Sequence, residues 1–255
     1  MNKKIIFFAL AFMFLFSYKG FSQTADEVIE SYINATGGLD VITAVQSYEI
    51  KGNMKMGNMD IPFTVYLKKP NKALLEVNFQ GKSMKQAYDG TTAWTINPFA
   101  GSEDPEKMDE GQTKRMQNMA DMDGALVNYS EKGSTVELIG KEELEGTEVY
   151  NLKLTDKDGD ITNYYIDAES YFILKEASKT KVEEKEVNSE TLYSDYRDVN
   201  GIMHPFAMEV ESDANPMGTQ NIVMDEMKQN VEIDDNIFVM PEKTEDVKDD
   251  VDDKD

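Results

Sequence analysis

No cysteine occurs in the sequence, and histidine and tryptophan occur once each, as His204 and Trp94. Without cysteine no disulfide can staple the fold, so stability has to come from the area of the core. The same absence removes a thiolate nucleophile and any thiol that could carry a lipid anchor. One histidine cannot supply the ligand cluster of a zinc site. A Ser-His-Asp triad would have to use His204, yet no strand-nucleophile-helix signature surrounds any serine. His204 stands directly before Pro205 and reads as a partly exposed strand residue. No glycine-rich phosphate loop is present. Positive charge is scarce: 26 Lys and Arg face 49 Asp and Glu, for a net charge of −23. Nucleic acid and anionic membrane surfaces are therefore disfavoured partners, because approach costs repulsion and releases no counterions.

Long apolar runs are nearly absent as well. Ile5 to Phe16 is about a dozen residues, too short to span a bilayer. Lys3 and Lys4 precede it, and Gly20 and Ser22 lie near its polar exit. Together these read as a cleavable signal peptide over residues 1–23 and predict export to the periplasm with no transmembrane segment in the mature chain. At the other end, residues 242–255 hold eight acids and three lysines with almost no apolar side chain, the composition of a disordered tail. Residues 24–241 between them read as one domain.

That domain opens with a helix. Thr24 and Glu27 fit a capping box, and Ala25, Val28, Ile29, Tyr32 and Ile33 recur at helical spacing up to the Gly37-Gly38 stop. A short second helix, Leu39 to Val45, turns the chain into the first strand. From Ser47 the period becomes two: Ile61, Phe63, Val65 and Leu67 alternate, then Leu75, Val77 and Phe79, then Met84, Gln86 and Tyr88. Asp89-Gly90 is a hairpin turn before Thr92 to Ile96. Asn97 to Pro105 is expected to break the sheet, and Glu106 to Met122 to form a helix carrying Met108, Met116, Met119 and Met122. Strand signals then resume from Thr135 to Lys228, separated by short turns such as Asp158-Gly159 and Asn200-Gly201. The pattern predicts a mainly β (α+β) fold: one large antiparallel sheet of about ten strands in up-and-down order.

Few residues suggest catalysis. Asp156-Lys157-Asp158-Gly159-Asp160 resembles the start of a calcium loop, but its glycine comes fourth and Ala168 stands where the closing glutamate belongs, so a tight turn between strands fits better. The other carboxylates are too numerous and dispersed to single out an acid-base pair. The chain reads as non-enzymatic, with no cofactor. Its distinctive feature is methionine, sixteen in all, many in the early hairpin and in the expected helix. Methionine suits surfaces that repack around varied apolar partners. A broad sheet with one apolar face must curl or be covered, and with few helices available the closure leaves a cavity.

The runs KKPN at Lys68 to Asn71, DGTTAW at Asp89 to Trp94, NPF at Asn97 to Phe99 and DDNIFVMP at Asp234 to Pro241 resemble the LolA/LolB-like periplasmic lipoprotein carriers. DVNGIMHPF, from Asp198 to Phe206, is similar to a hairpin of the outer-membrane lipoprotein-sorting-type relatives found in Bacteroidetes. The resemblance implies an unclosed β-barrel of about eleven strands, with the N-terminal helix and a lid helix covering the concave face and an apolar interior that receives acyl chains. It implies that Lys69 takes the place of the basic residue that contacts the lid. On this reading Phe63, Val65, Leu67, Leu75, Val77, Phe79, Trp94 and Ile96 line the cavity, and Met116, Met119 and Met122 form the underside of the lid. The expected function is to carry acyl chains of lipids or lipoproteins, with a role in outer-membrane lipoprotein sorting. Its partners would be inner- or outer-membrane transfer proteins, and its state a monomer. The alternative is a protein-interaction or sensory module with a filled core.

Overall fold

Thirteen antiparallel strands form one open sheet in the computed structural model, which describes residues 23–57, 59–182, 185–215 and 218–243. The expected signal peptide, apart from Gln23, and the expected acidic tail, apart from Glu242 and Lys243, lie outside the described residues.

Helix α1 (Ala25–Thr36) starts at the Thr24–Glu27 capping box, in which each side chain accepts a hydrogen bond from the other residue's backbone amide. Gly37 ends it at φ +136°, and a Cβ there would stand 2.4 Å from the Gly201 carbonyl oxygen, so only glycine fits. Helix α2 (Leu39–Ala44) follows, then β1 (Ser47–Met56), β2 (Met59–Lys68), β3 (Lys72–Phe79), β4 (Lys82–Tyr88) and β5 (Ala93–Asn97). The chain continues through β6 (Ser102–Lys107) and α3 (Glu110–Ala120) to β7 (Thr135–Leu144), β8 (Thr147–Thr155) and β9 (Ile161–Asp167). Strands β10 (Ile173–Val182), β11 (Lys185–Val199), β12 (Ile202–Ser212) and β13 (Gln220–Gln229) complete it.

In space the strands run β6-β5-β4-β3-β2-β1-β13-β12-β11-β10-β9-β8-β7. Two antiparallel meanders thus meet where β1 pairs β13, and the free edges are β6 and β7. These edge strands are consecutive in sequence, and α3 lies in the connection between them. The helix therefore spans the gap that keeps the sheet from closing.

The strand count exceeds the expected eleven, and β6 lies where a break was expected. Residues 102–107 pair with β5 as an edge strand, a position where Pro105 removes no bond the sheet needs. The helix correspondingly starts at Glu110 instead of Glu106 and ends at Ala120 instead of Met122. Asp109 caps it, its carboxylate accepting from the Gln112 amide at 2.7 Å, which leaves Met108 outside the helix.

Register assigns every side chain to a face. Tyr48, Ile50, Val65 and Leu67 share the inner face with the underside of α3, where Met116 and Ala120 are buried. On the far half of the same face, α1 lays Val28 and Ile29 against Leu152, Leu154, Tyr164 and Ile166. Gly52 lies opposite Phe63 in this layer. A Cβ there would meet the Phe63 ring at 2.7 Å and the Val223 carbonyl oxygen at 2.3 Å, so the glycine makes room for the ring. The outer face carries a third cluster, in which Leu74, Ala87 and Trp94 are covered by Ile233 and Phe238 of the C-terminal segment.

Candidate functional site: the inner face of the half-barrel

Strand alternation brings six of the eight expected cavity residues together. Phe63 pairs with Val77, Val65 with Leu75 and Leu67 with Ala73, so Phe63, Val65, Leu67, Leu75, Val77 and Phe79 all face inward. Phe63, Leu67 and Val77 are buried, whereas Val65, Leu75 and Phe79 are half-buried.

Trp94 and Ile96 are not among them. Trp94 pairs with Ala87, which pairs with Leu74, and that row faces outward. Its indole Nε1 donates to the Phe238 carbonyl at 2.7 Å, and Ile96 packs against the same cluster. The two are walls of the core beneath the C-terminal segment instead of the inner cavity. The C-terminal segment covers the outward-facing Leu74, Ala87 and Trp94, which is why these strands bury apolar side chains on the outer face as well.

Met116, Met119 and Met122 all turn toward the inner face and pack with Leu67, Ala73, Tyr88 and Ala93. The space directly beneath α3 is thus filled with side chains. Lys69 reaches the end of this lid: its Nζ donates to the Thr43 carbonyl at 2.5 Å and pairs with Asp123 at 2.9 Å, just beyond α3.

Past the lid the inner face continues as an apolar row. Tyr193 pairs with Met208, Met208 with Ile222, Ile222 with Met54, and Met54 with Ile61. The row crosses five strands, or about 19 Å at the spacing of a β-sheet. All five side chains are half-buried, and Met54, Ile61, Met208 and Ile222 pack against none of the three core clusters. Sequence alternation marks Ile61 as a strand residue, but joining it through Met54 to Met208 and Ile222 requires the β1–β13 pairing, which no local pattern reveals.

Two depressions, of about 420 and 480 Å³, adjoin the sheet. One is bordered by the outward-facing Leu192, Ala207, Glu209 and Asn221 and also touches Tyr193, Met208 and Ile222 of the row, and the other lies between Trp94 and the C-terminal segment.

Charged groups sit at the rim of the site. Lys114, on α3, reaches across to the β8–β9 turn and pairs with Asp156, Asp158 and Asp160 at 2.8, 3.0 and 2.6 Å. Burial alone would lower the pKa of this ammonium, but its hydrogen bonds to the three carboxylates outweigh that and raise it. Asp156 also accepts from the Asp158 and Asp160 backbone amides, both at 2.9 Å, and with Lys114 this holds its carboxyl below the usual range despite burial. The turn that resembled a calcium loop is occupied by a lysine of the lid. Among the described residues no group of three His, Cys, Asp or Glu could hold a metal ion.

His204 also faces inward. Its ring meets Tyr48 edge-on at a centroid distance of 5.5 Å, with Nε2 3.5 Å from the phenol oxygen. Burial lowers its pKa to about 4, against a weaker opposing pull from Asp198. Burial likewise pushes Tyr48 up to about 12. No serine-histidine hydrogen bond involves this imidazole among those described. No helix among the described residues is long and apolar enough to cross a membrane.

The chain resembles several solved structures. A LolA superfamily protein from Nitrosomonas europaea shares 14% identity at a TM-score of 0.56, over 86% of this chain and 98% of that one. A DUF1329 family protein from Desulfovibrio piger shares 16% at 0.57, again over 86% and 98%. A domain ascribed to outer membrane lipoprotein sorting, from Vibrio parahaemolyticus, shares 9% at 0.52, over 83% and 94%. At such identities the likeness establishes the fold, the open half-barrel of LolA superfamily proteins. No curated protein matches the sequence. Residues 112–241, from the lid helix to the end of the C-terminal segment and just over half of the chain, match a family model described as "Uncharacterized protein". The chain belongs to that uncharacterized protein-like family and has the fold of LolA superfamily proteins.

Proposed function

We propose that the protein is a non-enzymatic periplasmic binder and carrier of acyl chains, taken from lipids or from lipoproteins, on the inner face of its half-barrel. The observation that carries this reading is the Met208–Ile222–Met54–Ile61 row, which is apolar, half-buried and outside the packed clusters. Apolar surface left that way costs free energy in water, and covering it with hydrocarbon recovers it. A twelve-carbon tail buried at ~0.8 kcal/mol per methylene gains about 10 kcal/mol before ordering costs. Methionine at two of the four positions lets the surface adapt to tails of different shape. Export by the signal peptide over residues 1–23 would deliver the protein to the compartment where lipoproteins cross between membranes. The domain ascribed to lipoprotein sorting in Vibrio parahaemolyticus shares the fold and supports a sorting role.

A fluorescent fatty-acid displacement assay tests the site. Ile222→Glu places a carboxylate in the middle of the row and is expected to weaken acyl binding at least tenfold, whereas Val223→Thr, on the opposite face, leaves it unchanged. Equal affinity in both variants would count against the inner face as the binding surface.

A further inference from the structure

The acyl row ends at an acid. Glu176 of β10 pairs with Tyr164 of β9 on one side and with Thr191 of β11 on the other, so its side chain faces inward. Tyr193, diagonal to it, hydrogen-bonds its carboxylate and is also the first member of the apolar row. Tyr32 of α1 and Tyr196 of β11 complete the surroundings. Glu176 is half-buried, and Tyr32, Tyr164 and Tyr193 of the surrounding cluster pack about it.

Among the described residues Glu176 has no countercharge. On the outer faces of the same two strands, acids are matched by lysines: Lys175 pairs with Glu190 at 2.7 Å and Lys179 with Glu186 at 2.8 Å. Among the described residues no lysine or arginine pairs with Glu176. The titratable groups that face it are Tyr32 from α1, Tyr164 from β9, and Tyr193 and Tyr196 from β11, with Asp121 near Tyr164. An anion held among aromatic rings without a cation is the arrangement that accepts an ammonium guest, because the carboxylate supplies the charge and the rings their electron-rich faces.

We propose that the inner face takes an amphiphile bearing an ammonium group, with the cation seated against Glu176 among Tyr32, Tyr164 and Tyr193, and the hydrocarbon lying along Met208, Ile222, Met54 and Ile61. The proposal rests on the acyl-binding reading above and specifies the polar end of the cargo. Burial lifts the Glu176 carboxyl to about 7, partly offset by the Tyr193 hydroxyl, so in the empty protein it exchanges its proton near neutrality. An ammonium guest, with the high pKa of an alkylamine, would draw Glu176 into its charged form.

Calorimetric titration of the delipidated protein with dodecylamine, dodecan-1-ol and dodecanoate, each below its micelle concentration, tests this. At pH 8 dodecylamine should bind at least tenfold tighter than dodecan-1-ol, with dodecanoate weakest, and the preference should shrink at pH 5.5 as Glu176 becomes protonated. In Glu176→Gln, which keeps volume and hydrogen bonding, the amine preference should vanish while dodecan-1-ol binds as before; retained alcohol binding shows that the variant is folded. Tyr193→Phe, keeping the ring, should preserve most of the preference. If the wild type binds amine and alcohol alike, or Glu176→Gln retains the preference, the ammonium site is wrong and acyl binding stands. If none of the three ligands binds, both readings fall together.

Discussion

Trp94 belongs to the stability of the outer face. Its indole N–H is buried and donates to the Phe238 carbonyl at 2.7 Å. Trp94→Phe keeps most of the ring and leaves that carbonyl without its partner, at an expected cost of about 1–3 kcal/mol in a denaturant titration, with acyl affinity unchanged. A loss of affinity in that variant would instead place the residue at the binding surface. The sequence alone leaves Trp94 and Ile96 free to point either way as a pair, and the register turns both outward. Alternation in β5 puts Trp94 and Ile96 on one face and Ala93, Thr95 and Asn97 on the other, but it does not say which face is the inner one, and in β3 both Leu74 and Leu75 have a cover, the C-terminal segment for one and the inner trough for the other. The available hint was DDNIFVMP, an apolar segment after the last strand with Phe238 to bury. His204 supplies the second test at this scale. Its folded pKa of about 4 is below the ordinary 6.5, so the native state holds the imidazole neutral. The stabilisation this gives is complete above pH 6.5 and is lost as pH falls toward 4, because the unfolded chain takes up the proton first. Since the sequence has one histidine, its imidazole resonance in a proton NMR titration is unambiguous. The expected midpoint is near 4, and a midpoint near 6.5 would mean that the ring is solvated and not packed on Tyr48.

Helix α3 is the element on which the two halves of the sheet depend. Its body packs on β3, β4 and β5, while Lys114 extends to the three carboxylates of the β8–β9 turn. The helix thus holds the two walls of an open barrel at once, with Lys69–Asp123 fastening its far end. A single surface ion pair contributes little, but one ammonium shared by three carboxylates with backbone-ordered geometry is worth about 1–2 kcal/mol. Lys114→Met is therefore expected to speed tryptic cleavage after the neighbouring Arg115 several-fold, and high salt should do the same to the wild type. Unchanged cleavage would show that the apolar underside of α3 alone holds the lid. The methionines of that underside were legible from their helical spacing, as was a lid between two runs of strands. Its latch was not: Lys114 and the Asp156–Asp160 turn are more than forty residues apart, and each reads locally as ordinary surface charge. The start of α3 was misplaced by four residues because Glu106 and Lys107 have good helix propensity, which the edge pairing of β6 with β5 overrides.

At the scale of the whole molecule, the order of the strands creates the function proposed. Two meanders joined at β1 and β13 leave free edges at β6 and β7, and the lid connects them, so the sheet curls without closing. The filled region under α3 anchors the lid, and the uncovered apolar row lies beyond it, at the β1–β13 seam. The period-two pattern and the hairpin turns made the single antiparallel sheet readable in the sequence. The seam was not, since it pairs residues about 170 apart, and with it the continuity of the trough stayed hidden. The central claim is that this trough holds hydrocarbon. Native mass spectrometry of the protein, released from membranes without detergent, measures that directly. The account predicts adducts of lipid mass that delipidation removes and that added acyl ligand restores, together with a change in protease sensitivity at the lid. A single protein mass before and after delipidation, with no ligand rebinding and no change at the lid, would contradict it.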